Sequence, residues 1–179
     1  SNYDNKDNER ILLNGGAKGC STFQSYFILS SIARYGHYDE ALNILKEYYG
    51  GMLKVGATSF WEDFDIEWLN NASRIDKEPV KGKKDIHGDY GKFCYIGYRH
   101  SFCHGWSAGV IPYLVETVVG LKNIDSTHYE LNPHMSGLTN IKCKHPTPYG
   151  PIVISLEMKN QQLVTNVIKC PKEVTIINK

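Results

Sequence analysis

The stretch 20-CSTFQSYFILSSIARYGHYDEALNILKEYYGG-51 sets the architecture of the first half of the chain. Phe23, Tyr26, Phe27 and Leu29, followed by Ile32 and Ala33, recur at helical spacing, with Ser21 in place for an N-cap and Gly36 for a stop. Asp39 can cap a second helix, in which Ala41, Leu42, Ile44, Leu45, Tyr48 and Tyr49 repeat at the same period up to Gly50-Gly51. Only about three residues separate the two, so the stretch predicts an antiparallel αα-hairpin.

Downstream, Trp106 to Val119 is apolar on nearly all sides through Val110, Ile111, Leu114, Val115 and Val118, which predicts a buried helix that starts or kinks at Pro112. Between hairpin and helix, residues 56–105 hold Gly, Asp, Lys and His with little periodicity, and irregular regions of that length are usually functional. After Gly120 the character changes. Ile152-Val153-Ile154, Leu163 to Ile168 and Val174 to Ile177 are β-branched runs separated by Pro, Gly, Asn and Lys, the pattern of antiparallel strands. The expectation is an α+β chain with a break near 121–126: helical hairpins over residues 1–122, then a small antiparallel β-sandwich domain over 123–179.

Composition bounds the function. The chain has 179 residues, 41% of them hydrophobic and 12% aromatic, enough for a globular core. Its 20 Lys and Arg balance 19 Asp and Glu without gathering into a run, so no footprint for nucleic acid or an anionic membrane is visible, and a neutral small molecule or another protein is the expected partner. No stretch approaches the ~20 apolar residues that span a bilayer. Ser1-Asn2 reads as an expression-vector remnant, which would make the sequence a piece of something longer. Five scattered cysteines without a C-x-x-C indicate neither a disulfide framework nor a zinc knuckle. Cys94, His100, Cys103 and His104 match no standard zinc spacing, so no metal and no cofactor is expected.

Three stretches can carry chemistry. In 58-TSFWEDFD-65, an extended backbone would put Phe60, Glu62 and Phe64 on one face and Trp61, Asp63 and Asp65 on the other. A carboxylate between rings suits a tuned acid or base; the same residue types also serve as structural acceptors, or as partners of Arg74 or Arg99. In 98-YRHSFCHGWS-107, Trp106 can stack on the apolar face of a sugar with histidines holding hydroxyls, or Trp106 and His104 can belong to the core. The stretch 83-KKDIHGDYG-91 fits an active-site loop or a surface turn. No phosphate loop, G-x-S-x-G elbow or H-E-x-x-H is present.

The strings 50-GGMLKVGATSFWEDFD-65, 82-GKKDIHGDYG-91, 99-RHSFCHGWSAGVIPYLVE-116 and 146-PTPYGPI-152 together resemble, in order and spacing, the C-terminal part of bacterial α-L-rhamnosidases of glycoside hydrolase family 78. The resemblance runs over nearly the whole chain from about residue 10. It implies a partial (α/α)6 barrel followed by a β-sandwich, and hydrolysis of terminal α-L-rhamnose with inversion. It places the general base on Glu62 and the pocket histidine on His104, with Trp61 and Trp106 as aromatic pocket positions and Asp63 and Asp65 as supporting groups. The family's acidic motif bearing the general acid lies on earlier barrel helices and has no counterpart in this sequence. Inversion needs carboxyls about 6.5–9.5 Å apart on opposite faces of the sugar, which Glu62, Asp63 and Asp65, from one segment, do not readily supply. The expected partner is therefore an α-L-rhamnoside, with self-association through uncovered barrel surfaces. The alternative is an inactive carbohydrate-binding or structural remnant of such an enzyme.

Overall fold

The computed structural model describes residues 5–88 and 100–179; Arg99, Cys94 and the end of the 83–91 stretch lie outside them. The chain is α+β and falls into two compact units, residues 1–110 and 111–179. The expected break at 121–126 thus lies within the second unit.

The first unit is built on three helices: α1 (Lys6–Gly15), α2 (Ser25–Arg34) and α3 (Tyr38–Lys54). The sequence reading did not assign α1, which buries no residue. It forms because the Asn5 side chain accepts the Asp7 N–H at 2.9 Å and Asp7 and Glu9 complement the positive helix start. The hairpin of α2 and α3 forms as expected, turning at Gly36, whose φ of +92° is a conformation glycine adopts freely. Leu29, Ile32 and Ala33 of α2 face Ala41, Leu42, Leu45 and Tyr48 of α3 in the core.

Three details of the hairpin differ from the expectation. α2 starts at Ser25 instead of near Cys20, because residues 22–24 form a turn that Ser21 closes with its Oγ on the Gln24 N–H. Asp39 lies in the first turn of α3, where it complements the dipole without capping. α3 also runs through Gly50-Gly51 to Lys54, since Met52 and Val55 are buried and anchor its last turn. Gly51 is a packing residue: a Cβ there would come within 2.6 Å of Ile66 Cδ1. Arg74 fixes the helix end by donating from Nη1 to the Lys54 carbonyl at 2.7 Å while its other nitrogens hold Asp76.

Between α3 and residue 104 the described residues are irregular except for a 3-10 turn over Ile66–Asn70 and a bridge between Ala72 and Lys84. The stretch expected as one buried helix is a sequence of tighter and looser turns: 3-10 over Gly105–Gly109, one α turn (α4, Val110–Tyr113) and π over Leu114–Val118. Pro112 sits within that α turn, lacking an N–H to donate.

The second unit holds six strands: β1 (Leu121–Asn123), β2 (His128–Leu131), β3 (Asn140–His145), β4 (Ile152–Lys159), β5 (Gln162–Lys169) and β6 (Thr175–Asn178). They form two three-stranded sheets, β1-β2-β6 and β3-β4-β5. Ile152, Ile154 and Leu156 alternate inward along β4 and share one apolar cluster with Leu121, Tyr129 and Leu131 of the other sheet. The antiparallel expectation holds for every pairing except β2 with β6, which is parallel. The long excursion through β3, β4 and β5 supplies the connection that a parallel pair requires.

Gly120 turns the chain into β1 at φ +77°, and a Cβ there would lie 1.9 Å from the Asn132 carbonyl oxygen. Gly120→Ala is expected to cost at least ~3 kcal/mol, combining a left-handed alanine with a backbone collision. All three tryptophans (61, 68 and 106) lie in the first unit, so strand-amide NMR during denaturant titration is the measurement that reads this loss.

Candidate active site

The loop 58–65 is not an alternating strand. It bends at Glu62, so Trp61 and Phe64, expected on opposite faces, both enter the core at 0% and 1% exposure. Trp61 packs edge-on against Phe64, His100 and Phe102, with centroids 6.1, 6.0 and 5.0 Å away. Its ring offers no face to a ligand, so it supports the loop from behind. The same bend brings Glu62, Asp63 and Asp65 together on the border of a cleft of about 450 Å³.

A second segment, residues 100–107, clasps this loop. His104 N–H donates to the Phe60 carbonyl at 2.7 Å, Ser59 Oγ to the Phe102 carbonyl and Ser107 Oγ to the Trp61 carbonyl. Glu62 is held most closely. Its N–H donates to the Ser101 carbonyl at 2.8 Å, and the Ser101 N–H returns a bond of 3.0 Å to Glu62 Oε2. Its own carbonyl receives Trp106 Nε1–H at 2.9 Å and the Thr22 hydroxyl at 2.5 Å. Arg74, one of the two arginines considered as its partner, is committed to Asp76.

Trp106 borders the cleft with 45% of its surface exposed. It stands between Phe23, 5.6 Å away by centroid, and the half-buried ring of His104 at 4.4 Å. His104 also accepts the Trp106 N–H on Nδ1 at 3.4 Å. Residues 100–104 are not helical, so His100 and His104 do not share a helix face. His100 is buried and accepts the Asp63 N–H on Nε2 at 3.1 Å, which requires that nitrogen to be unprotonated. Burial lowers the His100 pKa and favours the same neutral form.

The three carboxylates differ in environment. Asp65 Oδ1 caps the 3-10 turn by accepting the Glu67 N–H at 2.9 Å. Asp63 has its Oδ2 buried without a hydrogen-bond partner among the described residues. Burial, opposed by the Phe64 N–H, pushes its carboxyl above the ordinary aspartate range. Of the remaining stretch, 83–91, Ile86 is buried, and His87 pairs through Nδ1 with Asp85 at 2.8 Å in a local turn that holds the Asp85 carboxyl below the usual carboxylate range.

The opposite wall was not anticipated from the sequence. Lys18, Gly19, Cys20, Ser21, Thr22, Phe23 and Gln24 complete the cleft. Their sequence signal is limited to the glycines of 15-GGAKG-19, which mark a turn without indicating what lies across from it. Cys20 Sγ contacts the Gly16 carbonyl, and burial followed by the charge of Glu47 pushes its thiol up to about 12, so it is a structural cysteine. Lys18 reaches Glu67 at 3.1 Å on the surface.

The site therefore offers one exposed indole, three acids and neutral hydrogen-bonding groups around an open cleft, an arrangement able to hold a polar ring and activate water beside it. No protein-family model matches the chain, and no curated protein does either.

Burial of Asp63 gives a sign that can be tested. With its folded pKa above the ordinary aspartate value of 3.8, the folded state holds the proton more tightly, so this residue's contribution to stability falls as pH rises from about 3.8 through the raised value. Asp63→Asn keeps an acceptor for the Phe64 N–H and removes the titration. Its denaturation midpoint by tryptophan fluorescence should exceed that of the unsubstituted protein at about pH 7, and the advantage should shrink toward about pH 3.

Proposed function

We propose that the chain forms the C-terminal part of an inverting glycoside hydrolase of the α-L-rhamnosidase type, acting on terminal α-L-rhamnose with Glu62 as the water-activating base. One observation carries the reading: Glu62, its carboxylate anchored on one oxygen by the Ser101 N–H, borders an open cleft together with the half-exposed Trp106. In this reading the sugar ring lies on Trp106, with His104 behind the indole. Asp63 and Asp65 support the base and the sugar hydroxyls. The helical hairpin is one member of a partial (α/α)6 barrel, and the two sheets are the appended β-sandwich. Exposed Phe23, Phe27 and Leu53 fit surfaces that further barrel helices, or a second copy of the chain, would cover.

In the reaction a water on the face of the sugar opposite the leaving group gives its proton to Glu62 as its oxygen bonds to the anomeric carbon. The glycosidic bond breaks, and the leaving oxygen takes a proton from a second carboxyl about 6.5–9.5 Å away. Among the described residues, every carboxylate bordering the cleft except those of 62–65 is absent, so the proton donor is assigned to polypeptide outside these residues. That same observation favours a second reading, a carbohydrate-binding remnant that keeps the pocket wall without the chemistry.

A dinitrophenyl α-L-rhamnoside separates the two, because its leaving group departs as a stable anion and needs no acid. The chain should hydrolyse it, with kcat falling on the order of 10²–10⁴-fold in Glu62→Gln. Rate unchanged by the substitution would remove Glu62 from the mechanism. Binding of L-rhamnose without turnover, lost in Trp106→Ala, would establish the remnant instead.

A further inference from the structure

The turn 20-CSTFQ-24, part of the cleft wall, presents Thr22 to the backbone of the Glu62 loop, forty residues further along the chain. Thr22 is 2% exposed, so its hydroxyl is withdrawn from solvent and its single proton goes to the Glu62 carbonyl. Trp106 Nε1–H donates to the same oxygen, which fills both of its lone pairs. On the other side of the residue, Ser101 exchanges two bonds with Glu62, one to its backbone N–H and one to its carboxylate. Glu62 is thus gripped by two segments of the first unit, the turn at residue 22 and the 100–107 segment at residues 101 and 106, and only one carboxylate oxygen remains uncommitted among these bonds.

Irregular backbone has no ladder to hold it, so the direction of a loop side chain is set by whatever fixes its two peptide groups. The peptide after Glu62 is fixed by Thr22 and Trp106, and the peptide before it by Ser101 and Ser107. We infer that Thr22 is a positioning residue for Glu62: its hydroxyl clamps the Glu62 carbonyl and so holds the carboxylate on the Ser101 N–H and toward the cleft. Its role is distinct from that of Trp106, a half-exposed ring on the cleft border, because the Thr22 hydroxyl, although Thr22 also lines the cleft, is committed to the backbone of the base. The inference rests on the reading of Glu62 as the water-activating base, while the clamp itself can be measured without turnover.

Thr22→Val keeps the shape and removes the hydroxyl, and Thr22→Ser restores it. Amide hydrogen exchange followed by NMR should show the Ser101 and Glu62 N–H groups exchanging at least about tenfold faster in Thr22→Val and returning close to the original rate in Thr22→Ser. With the dinitrophenyl α-L-rhamnoside, kcat should fall about tenfold in Thr22→Val with KM within about twofold, and Thr22→Ser should recover it. Unchanged exchange at Ser101 and Glu62 in Thr22→Val overturns the clamp. Faster exchange throughout the first unit in both variants also overturns it, since the hydroxyl would then serve only general stability. Altered exchange at the two amides in a chain that never turns over the rhamnoside leaves the clamp standing and refutes the glycosidase reading instead.

Discussion

The first unit depends on the clasp between residues 59–62 and 100–107. Its bonds join Ser59 to Phe102, Phe60 to His104, Trp61 to Ser107, and Glu62 to Ser101 and Trp106. Each pairs groups some forty residues apart, so closing the intervening chain opposes the clasp entropically. Burial of Trp61, Phe64 and His100 behind it offsets that cost, because each aromatic ring removes a large apolar area from water and the edge-on contacts add to it. The hydrogen bonds are individually worth only about 1 kcal/mol net. Their larger contribution is to pair backbone N–H and carbonyl groups of the loop at residues 60–62 that have no strand or helix ladder to satisfy them.

Once the clasp is made, the electrostatics of the cleft follow. Sending Trp61 and Phe64 inward forces the intervening Glu62 and Asp63 outward at the bend, since a loop buried on one side has only one wet side on which to place charge. The tight interleaving of acids and aromatics thus has a structural explanation in which the rings hold the loop and the acids occupy its rim. Trp106 combines both tasks, tethered through its indole N–H and half-exposed at the cleft border.

The parts legible in the sequence were those with a local signal. The α2–α3 hairpin repeats its apolar residues at helical spacing, and the β-branched runs Ile152–Ile154 and Leu163–Ile168, bounded by turn residues, lie in strands. Gly50-Gly51 misled because glycine reads locally as a stop, whereas here it admits Ile66 from a distant turn. The 106–119 helix misled because its composition is uniformly apolar and carries no information on which helical hydrogen-bond pattern it takes up. At the site, the candidates Glu62, Asp63, Asp65 and Trp106 all border the cleft, whereas strict alternation puts Phe64 on the face of Glu62 because it presumes an extended backbone, and the bend sends Phe64 into the core with Trp61. The Lys18–Gln24 wall had no signal beyond the turn glycines of 15–19, since it is joined to the loop through tertiary contacts such as Thr22 with Glu62.

The charge of the cleft constrains what it can receive. Three carboxylates and one ammonium, Lys18, border it, and Lys18 is turned to Glu67. A phosphate or carboxylate ligand would meet net repulsion there, whereas an uncharged sugar meets acceptors for its hydroxyls and an indole for its apolar face. Holding such a sugar does not by itself require an aspartate with a buried, unpartnered oxygen, because an asparagine would hold hydroxyls without the desolvation cost. An ionisable group carried at that cost, next to a Glu62 whose peptide groups are fixed on both sides, is the feature on which the proposal of proton transfer, over simple binding, rests.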